Sequence, residues 1–149
     1  MLIKPEIDSK YTSTEIHVCD REMNDSMRRI IKELHSIYDS TLYGTDGKGN
    51  RCALPVAGMI AFYSEGQKVF AMNDDGAYSI AKKLYELEEE LDRNAFVRIS
   101  KSEIINYRKI KKLDMSIVGT IRVIMKNGYE TYASRRNVAK LKELLVKET

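Results

Sequence analysis

The segment Ser134-Arg135-Arg136-Asn137 brings a hydroxyl, two guanidiniums and an amide to the start of a helical pattern. Serine is a good N-cap, because its side-chain oxygen accepts from a first-turn backbone N–H. The helix is therefore expected to begin at about Arg135. Cations in a first turn sit at the positive end of the helix dipole, unfavourable by roughly 0.3–1 kcal/mol each. Beside exposed helix N–H groups, two guanidiniums instead make a ready site for an anion. The bland alternative is that both arginines reach acidic neighbours across the surface. Two further turns offer similar groups. RISKS at 98–102 presents Ser100, Lys101 and Ser102, and SEGQKV at 64–69 presents Gln67 and Lys68 at a hairpin tip. Hydroxyls, amides and ammonium groups on turns suit phosphate oxygens and base edges.

Other chemistries lack their parts. GTDGKGN at 44–50 has no GK[ST] ending, so it is no phosphate-binding P-loop. No GxSxG occurs, and His17 and His35 have no nucleophile partner. Glu88, Glu89 and Glu90 lie on a helical pattern as solvated surface. Cys19 and Cys52 form no CxxC, and His17 with Cys19 supplies two metal ligands where structural zinc takes four. Both cysteines read as free thiols. The expectation is a protein that is not an enzyme, with no metal, no cofactor and no small-molecule substrate.

Charge is distributed unevenly. Residues 1–44 carry six Lys/Arg against eight Asp/Glu, and residues 45–92 five against nine. Residues 93–149 carry fourteen against five, a net +9 within a chain of net +3. A folded basic block interleaved with apolar residues is what a phosphate backbone requires of its partner. With 43% apolar and 32% charged residues the chain can bury a core. No apolar run approaches the ~18 residues of a membrane span, and MLIKPEIDSK has no signal-peptide pattern. A cytoplasmic location is expected.

The elements that must carry these turns are mostly strands. The pattern predicts strands at Lys68–Met72, Ala77–Ile80, Ile121–Met125 and Tyr129–Ala133, and short extended pieces at Phe96–Ser100, Ile104–Tyr107 and Lys109–Leu113. Ala53–Tyr63 is a strand region broken by Pro55 and Gly58. Asn127-Gly128 is a strong two-residue hairpin signal. Leu84, Leu87 and Leu91 mark a short helix, and Val138, Leu141, Leu144 and Leu145 mark the buried side of the closing one. One unit, strand–turn–strand–helix, occurs twice, at 72–91 and 125–145, acidic in its first helix and basic in its second. Upstream, Ile3–Ile7 and Glu15–Cys19 read as two short strands. Asp20 or Asn24 then caps a helix with the stripe Met23, Met27, Ile30, Ile31, Leu34 and Tyr38. GTDGKGN reads as a loop or short linker, which divides the chain into 1–45 and 46–149.

FVRISKSEIINYRKIKKLD, with TIRVIMKNGYETYASRRNVAKLKELL after it, resembles the LytTR DNA-binding domain. The matching positions are Phe96, Arg98, Ser102, Ile105, Asn106, Ile110, Asn127, Gly128, Ser134 and Arg136. The resemblance covers about residues 50–147, with FYSEGQKVFAM and LYELEEEL as the same domain's first hairpin and helix. It implies an α+β, mainly β fold, elongated, of small antiparallel sheets with short helices, preceded here by the small strand–strand–helix region. It also implies a transcription regulator whose loops reach successive grooves of double-stranded promoter DNA. By position those loops hold Gln67 and Lys68, then Ser100, Lys101 and Ser102, then Arg135, Arg136 and Asn137. Arg136 matches the family's major-groove arginine. The histidine or arginine that relatives sometimes use in the first loop is absent.

Many relatives carry a receiver domain, which residues 1–45 are too few to form, so activity without phosphorylation is expected. The chain looks like the short, stand-alone LytTR regulators of low-GC Gram-positive bacteria. Those are often paired with a small membrane protein encoded nearby. The apolar stripe at 23–38 suits a homodimer on two half-sites. The competing reading is a protein-interaction module whose basic face docks an acidic partner. RNA is a poorer fit, because no exposed aromatic pair on a strand offers a stacking platform.

Overall fold

Alternating apolar runs separated by tight turns leave the chain few options besides antiparallel sheets. A computed structural model describes residues 2–12, 15–38, 40–116 and 118–147. The elements run α1 (Asp25–Tyr38), β1 (Thr41–Thr45), β2 (Arg51–Pro55), β3 (Ala61–Glu65), β4 (Lys68–Met72), β5 (Ala77–Ile80) and α2 (Leu84–Glu90). They continue with β6 (Phe96–Ser100), β7 (Glu103–Asn106), β8 (Ile110–Asp114), β9 (Ile121–Met125), β10 (Glu130–Ala133) and α3 (Arg135–Lys147). Seven strands form one sheet in the order β2-β1-β5-β4-β3-β7-β6, and three form a second in the order β10-β9-β8. Every pairing is antiparallel. The fold is the expected α+β, mainly β arrangement.

The large sheet is buried on both faces over its β3-β7-β6 half. Phe62, Phe96 and Ile104 enter one core with Leu84, Leu87 and Leu91 of the α2 side. Their chain neighbours Ala61, Val97 and Ile105 enter the other, with Ile121, Val123 and Met125 of the small sheet and Leu141 of α3. Successive strand residues point to opposite faces, so a strand covered on both sides needs an unbroken apolar run. Ile104-Ile105 of EIIN and Phe96-Val97 of FVRIS supply such a run. α3 lies along β6, and fully buried Leu141 anchors it there. Val138 and Leu144 pack at the margin of that core. The Leu145 side chain lies outside the described ones.

The upstream region departs from expectation. Ile3–Ile7 and Glu15–Cys19 form no strand. Alternation alone cannot hold a strand without a neighbour to take its N–H and C=O groups, and neither segment pairs with anything described. Ile3, Ile7 and Ile16 are exposed instead. The polar segment between them turns only as far as Asp8, which accepts from the Lys10 and Tyr11 backbone N–H groups; Ser13 and Thr14 lie outside the described residues. The α1 cap is Asn24, whose Oδ1 accepts from the Met27 N–H at 2.9 Å, and Asp20 holds the Asn24 amide at 2.8 Å. On α1, Met27, Ile30, Ile31 and Leu34 are half-buried, while Met23 precedes the helix and is exposed. The Tyr38 side chain lies outside the described ones.

GTDGKGN is a hairpin turn between β1 and β2, not a linker. Asp46 accepts from the backbone N–H groups of Lys48 and Asn50 and from the Asn50 amide, closing the turn on itself. Gly49 in it has φ +87°, a left-handed conformation that glycine takes without strain. Gly44, just before it, sits where the strands close up, and a Cβ there would stand 2.9 Å from both Leu54 and Tyr78. β1 is therefore a full member of the large sheet, paired with both β2 and β5.

Candidate nucleic-acid interface

Register determines which turns share an end of the molecule. Tyr63 on β3 pairs with Glu103 on β7, and Glu65 pairs with Lys68 across the β3–β4 hairpin. The turn at 65–68 and the turn at 100–102 therefore project from the same end of the large sheet. Ser64 ties them, its N–H donating to the Ser102 carbonyl at 2.8 Å. β10 arrives at that end too, where the Ser134 N–H donates to the Ile99 carbonyl at 3.0 Å. Three segments far apart in sequence, 65–68, 100–102 and 134–137, thus meet on one side. The β1–β2 turn at 46–50 and the β4–β5 turn at 73–76 lie at the opposite end.

Lys68 and Gln67 are exposed at the first tip, and Lys101 and Ser102 at the second. Ser100 is half-buried, and its Oγ accepts from the Ser102 N–H at 3.2 Å, which tightens the turn. Arg98 organises the same turn from beneath. Its Nε donates to the Ser100 carbonyl at 2.9 Å, its Nη2 donates to the Lys101 carbonyl, and Nη1 pairs with Glu88 at 2.8 Å. With its donors engaged, Arg98 shapes the turn and leaves the exposed cation to Lys101. Arg98 is among the positions that match the family motif and is not among the expected DNA contacts. Its signal is its place two residues before the turn it braces.

At the third segment the two arginines differ. Arg136 is exposed, and no described residue pairs with it. Arg135 turns back, its Nε donating to the Gly119 carbonyl at 3.2 Å in the β8–β9 connection. Gly119 has φ +93°, and a Cβ there would stand 2.6 Å from the Arg135 Nη2, so glycine makes room for the guanidinium. The expected cap is modified: Ser134 Oγ accepts from the Asn137 side-chain amide at 2.8 Å, while its carbonyl takes the Asn137 and Val138 N–H groups. Asn137 is accordingly half-buried, its side chain folded onto the cap and its amide oxygen left over.

No described carboxylate pairs with Lys68, Lys101 or Arg136. Arg122, by contrast, is half-buried between Asp114 at 3.1 Å and Glu130 at 3.6 Å, where it ties the three strands of the small sheet together. The Arg122 and Ser116 contacts hold the Asp114 carboxyl below its usual range, the serine hydrogen bonds first. The end bearing the three turns can therefore offer uncommitted positive charge, hydroxyls and amides to one extended anionic surface. Sequence reasoning also missed Glu103, a buried carboxylate directly after the second turn. In sequence it is one more charged residue between a polar turn and an apolar run. Among the described residues no group of three or more His, Cys, Asp or Glu is placed to hold a metal ion.

A family model described as the LytTr DNA-binding domain matches residues 50–146. An uncharacterized HTH-type transcriptional regulator of Staphylococcus aureus strain MSSA476 is 35% identical over 140 residues, 93% of this chain and 94% of that protein. A similarly described protein of strain NCTC 8325 is 34% identical over the same coverage. A solved LytTr DNA-binding domain from Bacillus cereus superposes with a TM-score of 0.66 at 21% identity, covering 71% of this chain and 96% of that one. Helix-turn-helix, the term in the relatives' names, does not describe this architecture: among the described residues no two helices follow one another without a strand between them.

Proposed function

The chain belongs to the LytTR DNA-binding domain family and is a DNA-binding transcription regulator, and we propose that it reads promoter DNA through the three turns gathered at one end. Gln67 and Lys68 occupy the first turn, Ser100, Lys101 and Ser102 the second, and Arg135, Arg136 and Asn137 the third. The observation that carries this reading is the convergence itself. Segments about 30 residues apart along the chain are bonded to one another at a single end, with three cations there unpaired by any described carboxylate. A duplex presents its grooves and phosphates along a line, which suits a row of turns better than a pocket. Arg136 is the base-reading residue, because a guanidinium can bond a guanine edge in bidentate fashion. Lys68 and Lys101 neutralise phosphates. Arg135 reaches DNA only by leaving the Gly119 carbonyl.

In this reading α1 and the residues before it serve assembly, and the sheets from β1 onward, with α2 and α3, serve recognition. The half-buried stripe Met27, Ile30, Ile31 and Leu34 favours a homodimer that places two copies on two half-sites. A small membrane protein encoded nearby is the proposed controlling partner. The protein works in the cytoplasm, without catalysis. No helix among the described residues is long and apolar enough to cross a membrane.

The test is a salt titration of binding to the DNA upstream of the chain's own gene, against a random duplex of equal length. Counterion release gives a slope of log affinity against log salt of about −0.9 per phosphate contact. The reading expects several such contacts and a preference of roughly a thousandfold or more for the upstream site. A flat salt response, or equal affinity for both duplexes, refutes it.

A further inference from the structure

Glu103 is only 7% exposed, yet no Lys, Arg or His among the described residues pairs with it. Its two oxygens are used separately. Oε1 accepts from the Tyr129 hydroxyl at 2.6 Å, and Oε2 accepts from the Thr131 hydroxyl. Tyr63 of β3 is the other titratable group facing it. Burial holds the carboxyl above its usual range, against the pull of both hydroxyl bonds. A carboxylate placed there for stability alone would be a poor choice, since burying a charge without a counter-charge is costly. Its neighbours on the same face, Ile105, Tyr107, Val123 and Met125, show that an apolar side chain would be at home.

What the carboxylate adds is a fixed distance. Glu103 directly follows the turn at 100–102, and Thr131 lies on the strand that leads into the helix start at 134–137. Ile99, directly before the turn, accepts from the Ser134 N–H at 3.0 Å. The turn is therefore fastened at both of its ends to the strand carrying the other reading segment. One fastening is backbone to backbone and would form with any side chain. The other depends on Glu103. Hydrogen bonds behind a contacting group are what hold it within a fraction of an ångström of its working position.

We propose that Glu103 is a positioning residue for DNA reading: bonded to Tyr129 and Thr131, it sets the separation of the 100–102 turn and the 134–137 helix start, and thereby sequence discrimination. The inference rests on the three-turn reading above. Glu103 itself touches no DNA.

The full chain tests it through three variants measured beside wild type and Arg136→Ala. Glu103→Leu removes both acceptors while filling the space with carbon. It should still fold, with relief of the buried charge set against two hydroxyls left without their acceptor, yet lose about ten- to hundredfold of its preference for specific over random DNA, as if one base contact had slipped. Affinity for random DNA and the salt slope should stay as in wild type. Glu103→Gln retains a carbonyl acceptor for one hydroxyl and can donate to the other, so it should keep the preference within about threefold. Tyr129→Phe, which removes one of the two hydroxyls from a half-buried site, should lose part of the preference and add nothing in the Glu103→Leu background. Should Glu103→Leu fail to fold, Tyr129→Phe carries the test alone. Full preference in Glu103→Leu or in Tyr129→Phe overturns the inference, as does a loss in Glu103→Leu that is matched on random DNA. If those variants keep a preference that Arg136→Ala loses, the three-turn reading stands and only the role of Glu103 falls. A wild type with no preference at all overturns both.

Discussion

Replacing Arg136 by alanine should move stability and affinity in opposite directions. The guanidinium is exposed at the first turn of α3 and bonded to no described residue, so its removal strands no partner in the folded chain. It also relieves a cation held at the positive end of the helix dipole, a gain of roughly 0.3–1 kcal/mol. Alanine is at least as good a helix former as arginine. For a chain of 149 residues, about 1 kcal/mol corresponds to a Tm shift of roughly 2–4 °C, so the variant should melt up to a few degrees higher. On DNA the same change should remove the proposed bidentate base contact, about 1–3 kcal/mol, and so give a roughly five- to 150-fold weaker Kd on the specific site. A melting curve gives the first quantity. Fluorescence anisotropy on specific and random duplexes at one salt concentration gives the second. Unchanged specific affinity removes Arg136 from the interface, and an equal loss on both duplexes makes it a phosphate contact. A lower Tm means the guanidinium holds something together, contrary to its exposure here.

Lys68→Ala and Lys101→Ala should each flatten the salt slope by about one unit or less while leaving site preference intact; unchanged slopes in both place these lysines off the DNA. Leu141→Ala empties a fully buried position between α3 and the sheets and should cost about 2–5 kcal/mol, read as a lowered unfolding midpoint. A loss under about 1 kcal/mol would mean that α3 is not anchored there. Glu103 makes the pH dependence distinctive. Because its folded pKa is raised, the folded chain takes up a proton before the unfolded one does, so this group's contribution improves as pH falls from neutrality towards the ordinary carboxylate range. Wild type should gain stability relative to Glu103→Gln on acidification. Asp114, held low by Ser116 and Arg122, has the opposite sign, and its contribution should fade below the ordinary range. Parallel pH profiles for wild type and Glu103→Gln would contradict the burial of a charged carboxyl.

Much of the architecture is local enough to be legible in the sequence. Phe96–Ser100, Lys68–Met72, Ala77–Ile80 and Ile121–Met125 alternate or run apolar as strands do, and each is a strand over that span. Asn127-Gly128 turns β9 into β10, and the serine before two arginines starts α3 at Arg135. These features depend on backbone preferences and on side chains a few residues away, so the order of residues suffices. The family and its DNA-binding role follow from the same ordered motifs.

Where an element needs a distant partner, the sequence is ambiguous. Ile3–Ile7 alternates as well as β5 does, but no neighbouring strand takes its hydrogen bonds. GTDGKGN has a linker's composition and is a hairpin turn, because Asp46 finds Asn50 and β1 finds β5. Arg135 and Arg136 are the same residue twice, and only the approach of the Gly119 carbonyl engages one and leaves the other exposed without a described partner. Glu103 reads as a surface charge until the small sheet brings Tyr129 and Thr131 to it. The sequence by itself determined most strands from Ala61 to Ala133, the Asn127-Gly128 turn and the start of α3. Tertiary structure alone decided which turns stand side by side and which charges remain uncommitted, because those depend on contacts between residues that only the folded sheets bring together.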